Sequence, residues 1–283
     1  MCEKEIVLKH FNGISTTYDE NNKKVYWKLA DDLLWKIIKE YIPKERQITL
    51  LELGAGTGEW AYKILKEFDN INCVLVDFSN NMLNQAKEKL KEFKNRVKII
   101  NSDINDLKLT EQFDIVLNIY VLPFFRNTNK LIEIVSSHLK SGGISISVGE
   151  NFYNGLALNI LKGNTNDVKN VIEKNIGSLS QYVPKLHFNK MNELVEIHRK
   201  CNIIPIFKCG YPVVSLIGVE EALTSDKNTI SKILTDDYDY IFNIEMQYIR
   251  DENLYNRGKY ICIVGEKVEK NIIKLKHAKG VQK

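Results

Sequence analysis

The run Glu52-Leu53-Gly54-Ala55-Gly56-Thr57-Gly58 is where residue types and spacing in this 283-residue chain most directly imply chemistry. A G-x-G-x-G turn lets backbone pass beneath a ligand, because the missing Cβ atoms remove a wall, and a helix that follows presents free N–H groups. Asp77 stands about 20 residues further on, where a carboxylate at the end of the next strand can accept both hydroxyls of a ribose. Together they imply a site for an adenosine-containing ligand. Taken singly, the glycines would only make a tight strand-to-helix turn, Asp77 would only cap the helix beginning near Asn80, and Asp103 would be a loop carboxylate. Dinucleotide loops of this kind read G-x-G-x-x-G, and Glu59 occupies the place of their third glycine. A carboxylate there disfavours a pyrophosphate, and with it an NAD-dependent oxidoreductase.

The elements that must position these residues alternate. Thr49 to Leu53, Cys73 to Asp77, Val97 to Asn101, Asp114 to Ile119 and Ile144 to Gly149 read as strands, and Glu59 to Phe68, Asn80 to Phe93 and Asn127 to Leu139 read as helices. Such alternation predicts βαβ units, an α/β fold with a mainly parallel sheet and helices on both faces. Gly142-Gly143 is expected to end the helix from Asn127. Ahead of the sheet, Val25, Leu29, Leu33, Leu34, Ile37, Ile38 and Tyr41 recur at helical spacing, and Pro43 follows. Beyond the sheet the rhythm breaks. The organisation expected is a lid and helix over 1–48, a cofactor-binding core over 49–150, an inserted cap over 151–187 and the core resuming over 188–216. A second insertion over 217–258 and a last strand with a basic tail over 259–283 complete it.

Four segments, in order and suitably spaced, resemble the class I S-adenosylmethionine-dependent methyltransferases of small-molecule type, over roughly Phe11 to Gly149. Glu52 through Gly58 matches the family's first motif, Val76-Asp77-Phe78-Ser79 the second, Asn101-Ser102-Asp103-Ile104 the third and Phe113 to Asn118 the fourth strand. The resemblance implies a Rossmann-like fold with a seven-stranded sheet and S-adenosyl-L-methionine as cofactor, giving S-adenosyl-L-homocysteine. It places Glu52, Gly54, Gly56 and Gly58 beside the methionine part, Asp77 on the ribose and Phe78 beside the adenine. Asp103 would meet the adenine amino group, Ile104 would pack on the ring, and Asn118 would end the strand that faces the reactive methyl. Phe11 through Tyr18-Asp19 to Tyr26 resembles the family's N-terminal lid, so Tyr18 and Tyr26 would touch the methionine end, with Trp27 either a further contact or simply packed in the core.

Composition narrows the remainder. The five cysteines form no C-x-x-C pair and the five histidines no H-x-x-x-H cluster, so neither a disulfide framework nor a metal site is expected. The stretch Asn118 to Arg126 has no carboxylate, which disfavours magnesium-dependent methylation. The longest apolar run, Ile115 to Phe125, falls short of the roughly 20 residues of a membrane helix, and the N-terminus lacks a signal pattern, so the cytoplasm is the expected location. The formal charge is +4, and 267–283 holds six lysines against one glutamate, a solvated tail or a surface for RNA. Asn118-Ile119-Tyr120-Val121 is not the Asn-Pro-Pro-aromatic signature of base-amino methyltransferases, so nucleic acid is disfavoured as acceptor. A non-catalytic cofactor-binding protein stays open as an alternative. Residues after the fifth strand usually face the acceptor in this fold, which makes Glu150, Asn151 and Tyr153, with His187, the candidates for catalysis. The acceptor expected is a small molecule or peptide, methylated at N or O, and the protein a monomer or homodimer.

Overall fold

The computed structural model describes residues 2–23, 25–179, 183–215 and 237–269. Its strands are β1 (Ile48–Leu53), β2 (Ile71–Asp77), β3 (Val97–Asn101), β4 (Phe113–Ile119), β5 (Leu139–Asn151), β6 (Ile176–Gly177), β7 (Leu186–Asn189), β8 (Ile203–Tyr211) and β9 (Tyr260–Lys267). The order β3-β2-β1-β4-β5 is wholly parallel, with β9 antiparallel to β5 and β8 antiparallel to β9. This is the seven-stranded α/β sheet that the sequence predicts. Strand order reverses between β1 and β4, so a crevice opens beyond their carboxyl ends, where ligands of open sheets sit. A short pair extends the sheet: β7 runs parallel to the last two residues of β5, and β6 pairs with β7.

Three helices precede β1: α1 (Glu3–Ile14), α2 (Tyr18–Asn22) and α3 (Val25–Glu40). On α3 the helical spacing works as expected, since Leu29, Leu33, Leu34, Ile37 and Ile38 are buried against one face of the sheet with α4 (Glu59–Glu67). The opposite face is covered by α6 (Thr128–Ser137) and α9 (Met191–Lys200) through Leu131, Ile132, Val135 and Leu194. Side chains of central strands are thus buried on both sides, which is why β4 reads Phe-Asp-Ile-Val-Leu-Asn-Ile without polar alternation.

The Gly142-Gly143 expectation is corrected. α6 ends at Ser137 and β5 has begun by Leu139, so the glycines lie inside a strand. Gly142 is left-handed (φ 74°), and a Cβ on Gly143 would meet Lys140 O at 2.8 Å. The register between β4 and β5 shifts at this point, so the pair serves a bulge rather than a helix cap.

After β5 come α7 (Phe152–Leu161), α8 (Thr165–Lys174) and the β6–β7 pair, which share a small core of Phe152, Val171, Leu186 and Phe188. Of the segment 217–258, the apolar set Ile230, Ile233 and Leu234 lies outside the described residues, as does most of the basic tail. Its later part forms α10 (Tyr238–Tyr248), whose Glu245 carboxylate accepts the backbone N–H groups of Val213, Val214 and Ser215 at 2.7 to 3.0 Å.

Candidate functional site

The loop after β1 forms because three of its glycines adopt left-handed backbone: φ is 69° at Gly54, 53° at Gly56 and 72° at Gly58. Their reasons differ. A Cβ on Gly54 would meet Val121 Cγ2 at 2.4 Å, whereas one on Gly56 would project into open space. The N–H groups of Gly54 and Ala55 donate to Val76 O, drawing the loop onto β2. Asp77, at the end of β2, is buried and bridges two segments: Oδ2 accepts the Gly56 N–H at 2.9 Å and Oδ1 the Ser79 N–H at 2.8 Å. Burial pushes its carboxyl up, and these N–H bonds pull it back. The helix α5 (Asn80–Lys89) is capped by the Ser79 hydroxyl, which accepts the Met82 N–H, so Asp77 is not the cap.

A cavity of about 440 Å³ opens beside this loop. Tyr18, Gly54, Gly56, Asp77, Phe78, Asp103 and Ile104 all line it, so most of the cofactor residues expected from sequence converge on one space. The opposite wall is α1, with Glu3, Lys4, Val7 and Phe11 facing the cavity. This helix is latched by charge at one end, where Lys4 pairs with Asp103 and holds its carboxyl below the ordinary range against the effect of burial. Glu3 meets Arg126 Nε at 3.0 Å and His187 Nε2 at 3.3 Å. Phe11 packs edge-on against Phe124, ring centroids 5.1 Å apart. Below it, the Asp19 carboxylate on α2 accepts the Thr57 hydroxyl at 2.7 Å and pairs with Lys89 at 2.8 Å, tying the N-terminal helices to the glycine loop.

Other expected residues fall elsewhere. Gly58 lies behind the loop, where a Cβ would meet Leu90 Cδ1 at 3.0 Å. Glu52 is buried, and desolvation pushes its carboxyl up to about 8, against the pull of a bond from the Ala61 backbone. Asn118 is also buried, donating to Ser147 Oγ at 2.8 Å in a chain that continues to His198. Glu52, Gly58 and Asn118 support the cavity without lining it. Trp27 packs at the core edge with the Lys259 ammonium 3.7 Å from its ring centre. The side chain of Tyr26 lies outside the described residues. Glu59 does not line the cavity either: it pairs at 2.6 Å with Lys89, whose ammonium also donates to the Thr57 hydroxyl of the loop at 3.3 Å.

The four catalytic candidates are not brought together. Glu150 is buried opposite Tyr260 of β9, its carboxyl pushed up to about 7 by desolvation against the opposing charge of Lys259. Tyr153 opens on a separate groove with Met191, Arg199 and Tyr255. His187 serves the Glu3 latch, and Asn151 is spent on the Gly258 carbonyl at 2.7 Å and the Tyr153 N–H at 3.0 Å. The reason is geometric: β5 continues to Asn151 and turns straight into α7, carrying these side chains past the cavity. Sequence reasoning missed Tyr120, which lines the cavity just beyond β4 with left-handed backbone (φ 59°). Its place after a central strand was the available signal. Among the described residues, no three His, Cys, Asp or Glu side chains gather as metal ligands would.

A parallel sheet extended by an antiparallel β9–β8 edge, with a glycine loop after β1 and an acid ending β2, defines the class I methyltransferase fold. Residues 50–143 match the family described as a methyltransferase domain. Malonyl-[acyl-carrier protein] O-methyltransferase of Priestia megaterium is 29% identical over 143 residues, 50% of this chain and 50% of that protein. The chain thus spans about half the length of that curated relative. Phosphoethanolamine N-methyltransferase 2 of Haemonchus contortus, solved with S-adenosyl-L-methionine, shares the fold at a TM-score of 0.54 and 20% identity, over 84% of this chain and 53% of that one. Geranyl diphosphate C-methyltransferase from Streptomyces coelicolor, solved with S-adenosyl-L-homocysteine, does so at 0.54 and 13%, over 84% and 79%.

Proposed function

We propose that this chain is an S-adenosylmethionine-dependent methyltransferase acting on a nitrogen or oxygen of a small-molecule or peptide acceptor. The observation that carries the reading is Asp77, buried at the cavity wall with its carboxylate already oriented by Gly56 and Ser79. A carboxylate so held can accept two ribose hydroxyls. The residues present suit the cofactor: Gly56 leaves open the space a Cβ would take, Phe78 and Ile104 offer apolar surface to an adenine, and Asp103 stands beside them. Tyr18 lies where a ring face can stabilise a sulfonium, a contact of order 0.5 to 2 kcal/mol.

The cofactor supplies an activated methyl group, so the protein's task is alignment and exclusion of water. Phe11, Val7 and Phe124 make that cover apolar. The carrier-protein and small-molecule names of the similar proteins agree with a small acceptor group. A cavity of about 440 Å³ stands in the lower part of the roughly 300–1,000 Å³ span of small-molecule sites, which leaves little room beside a cofactor. No helix among the described residues is long and apolar enough to cross a membrane. A cytoplasmic monomer or homodimer completes the proposal. Thermal-shift titration tests it: S-adenosyl-L-homocysteine at 100 times its dissociation constant adds about 2.7 kcal/mol of stability. Stabilisation by NAD alone overturns it.

A further inference from the structure

Past the end of β4 lies a polar cluster that the cofactor residues do not use. Tyr120 lines the cavity in left-handed backbone (φ 59°), which is strained for a residue with a Cβ. Strain of this kind persists where surrounding structure imposes it, and it marks functional positions. Here the surroundings are explicit. The Tyr120 hydroxyl donates to Asp31 Oδ1 at 3.4 Å and accepts from the Tyr211 hydroxyl at 3.4 Å, and its ring packs on Tyr260 with centroids 4.8 Å apart. The hydroxyl thus has one lone pair to spare. Asp31 stands half-buried on α3, while its neighbour Asp32 is occupied by Lys28 and the Tyr238 hydroxyl, each at 2.6 Å.

Given the methyltransferase reading, on which this rests, we infer that Tyr120 is the acid–base group facing the acceptor, with Asp31 as its positioning residue and proton store. The acceptor is then protic, an amine or a hydroxyl, rather than a carboxylate. In the step this implies, the acceptor's proton passes to Tyr120 Oη as Tyr120's own proton passes to Asp31 Oδ1. The freed lone pair forms the bond to the methyl carbon, and the carbon–sulfur bond breaks with its electron pair remaining on sulfur. Asp31, which is only partly buried, later returns its proton to water. A carboxylate acceptor has no proton to surrender and would approach Asp31 against its charge.

The environment suits a proton store. Burial pushes the Asp31 carboxyl up to about 6, and Glu59 and Asp32 reinforce that, while Lys63 and the Tyr120 hydroxyl oppose it. Tyr238 of α10 also faces Asp31. Burial drives the Tyr120 hydroxyl well above its usual range, helped by Asp31, Glu150 and Tyr18 and opposed by the Tyr211 bond, so Tyr120 acts as a relay and not as a free phenolate. A proton store near 6 is ionised, and ready to accept, at neutral pH.

The test compares wild type, Tyr120→Phe and Asp31→Asn, using ethanolamine, phenol and malonyl-pantetheine as acceptor probes. Carbon NMR of aspartate carboxyls with bound S-adenosyl-L-homocysteine should show Asp31 titrating near pH 6 and moving in Tyr120→Phe. Calorimetry should find S-adenosyl-L-homocysteine affinity within about threefold in Tyr120→Phe, while its turnover of ethanolamine or phenol falls about 10²- to 10⁴-fold. Wild-type turnover should rise with pH through about 6, a step absent from Asp31→Asn. Methylation of malonyl-pantetheine alone, wild-type turnover in Tyr120→Phe, or an unchanged step in Asp31→Asn overturns the inference. Failure of wild type to bind S-adenosyl-L-homocysteine brings down the underlying reading first, and calorimetry shows that before any variant is made.

Discussion

Replacing Asp77 perturbs the protein twice over, and the two effects can be separated. Its carboxylate accepts the Gly56 and Ser79 N–H groups at 2.9 and 2.8 Å, and in the proposed complex it accepts two ribose hydroxyls as well. Hydrogen bonds to a charged partner contribute roughly 1.5 to 3 kcal/mol each. Asp77→Ala therefore removes at least one such bond's worth of cofactor affinity, about tenfold, and up to about 10⁴-fold if both ribose bonds act fully. In the free protein the same change leaves two N–H groups without their carboxylate. Both lie beside the cavity, where water can replace it, and the carboxylate's own burial cost disappears. A net loss of about 1 to 2 kcal/mol of stability is expected. Asp77→Asn keeps one acceptor oxygen but sets its NH2 against the other N–H donor, and should recover only part of the stability and little of the affinity. Titration calorimetry with S-adenosyl-L-homocysteine, beside urea unfolding of the free proteins, reads both quantities. An affinity in Asp77→Ala equal to wild type would refute the reasoning, since Asp77 would then serve only the loop.

The neighbouring glycines should separate in the same way: Gly54→Ala meets Val121 as well as left-handed strain, whereas Gly56→Ala meets the strain alone. Urea midpoints should therefore fall further for Gly54→Ala, with Gly56→Ala losing cofactor affinity through the filled cavity; the reverse stability order counts against the loop geometry. Glu52, with its carboxyl held up at about 8 against an ordinary 4.5, keeps a proton in the folded state that the unfolded chain releases. Folding stability should thus fall as pH rises through that window, and Glu52→Gln should flatten the fall, as unfolding midpoints at pH 5 and pH 8 will show. If α1 is a lid, amide exchange over residues 3–14 should slow on adding S-adenosyl-L-homocysteine, and equal protection in both states would make it a fixed wall.

The cofactor side of the site is readable in the sequence because it is local. Gly56 and Asp77 are separated by one βαβ unit, and the turn chemistry that glycine permits fixes where the loop must pass. The sheet follows from the same locality, since each strand is marked by an apolar run between helical ones. What escapes is what depends on long-range packing. Tyr120 and Asp31 stand 89 residues apart, and only the docking of α3 on β4 joins them. Glu150 and Tyr153 follow the fifth strand as the fold leads one to expect, yet two further residues of strand and an immediate helix carry them away from the cavity. The lid tells a similar story: α1 buries only Val7, so its apolar residues give a weak signal, and ion pairs to Asp103 and Arg126 hold it instead.

The central claim is that the cavity delivers a methyl group from S-adenosyl-L-methionine to a small acceptor. Its most direct test is incubation of the full chain with methyl-labelled S-adenosyl-L-methionine and a pooled low-mass metabolite fraction, followed by mass spectrometry. The account predicts S-adenosyl-L-homocysteine in step with label in a new low-mass product, both reduced in Asp77→Ala at subsaturating cofactor. Label that stays on the cofactor, with S-adenosyl-L-homocysteine no higher than in a protein-free control, would contradict it.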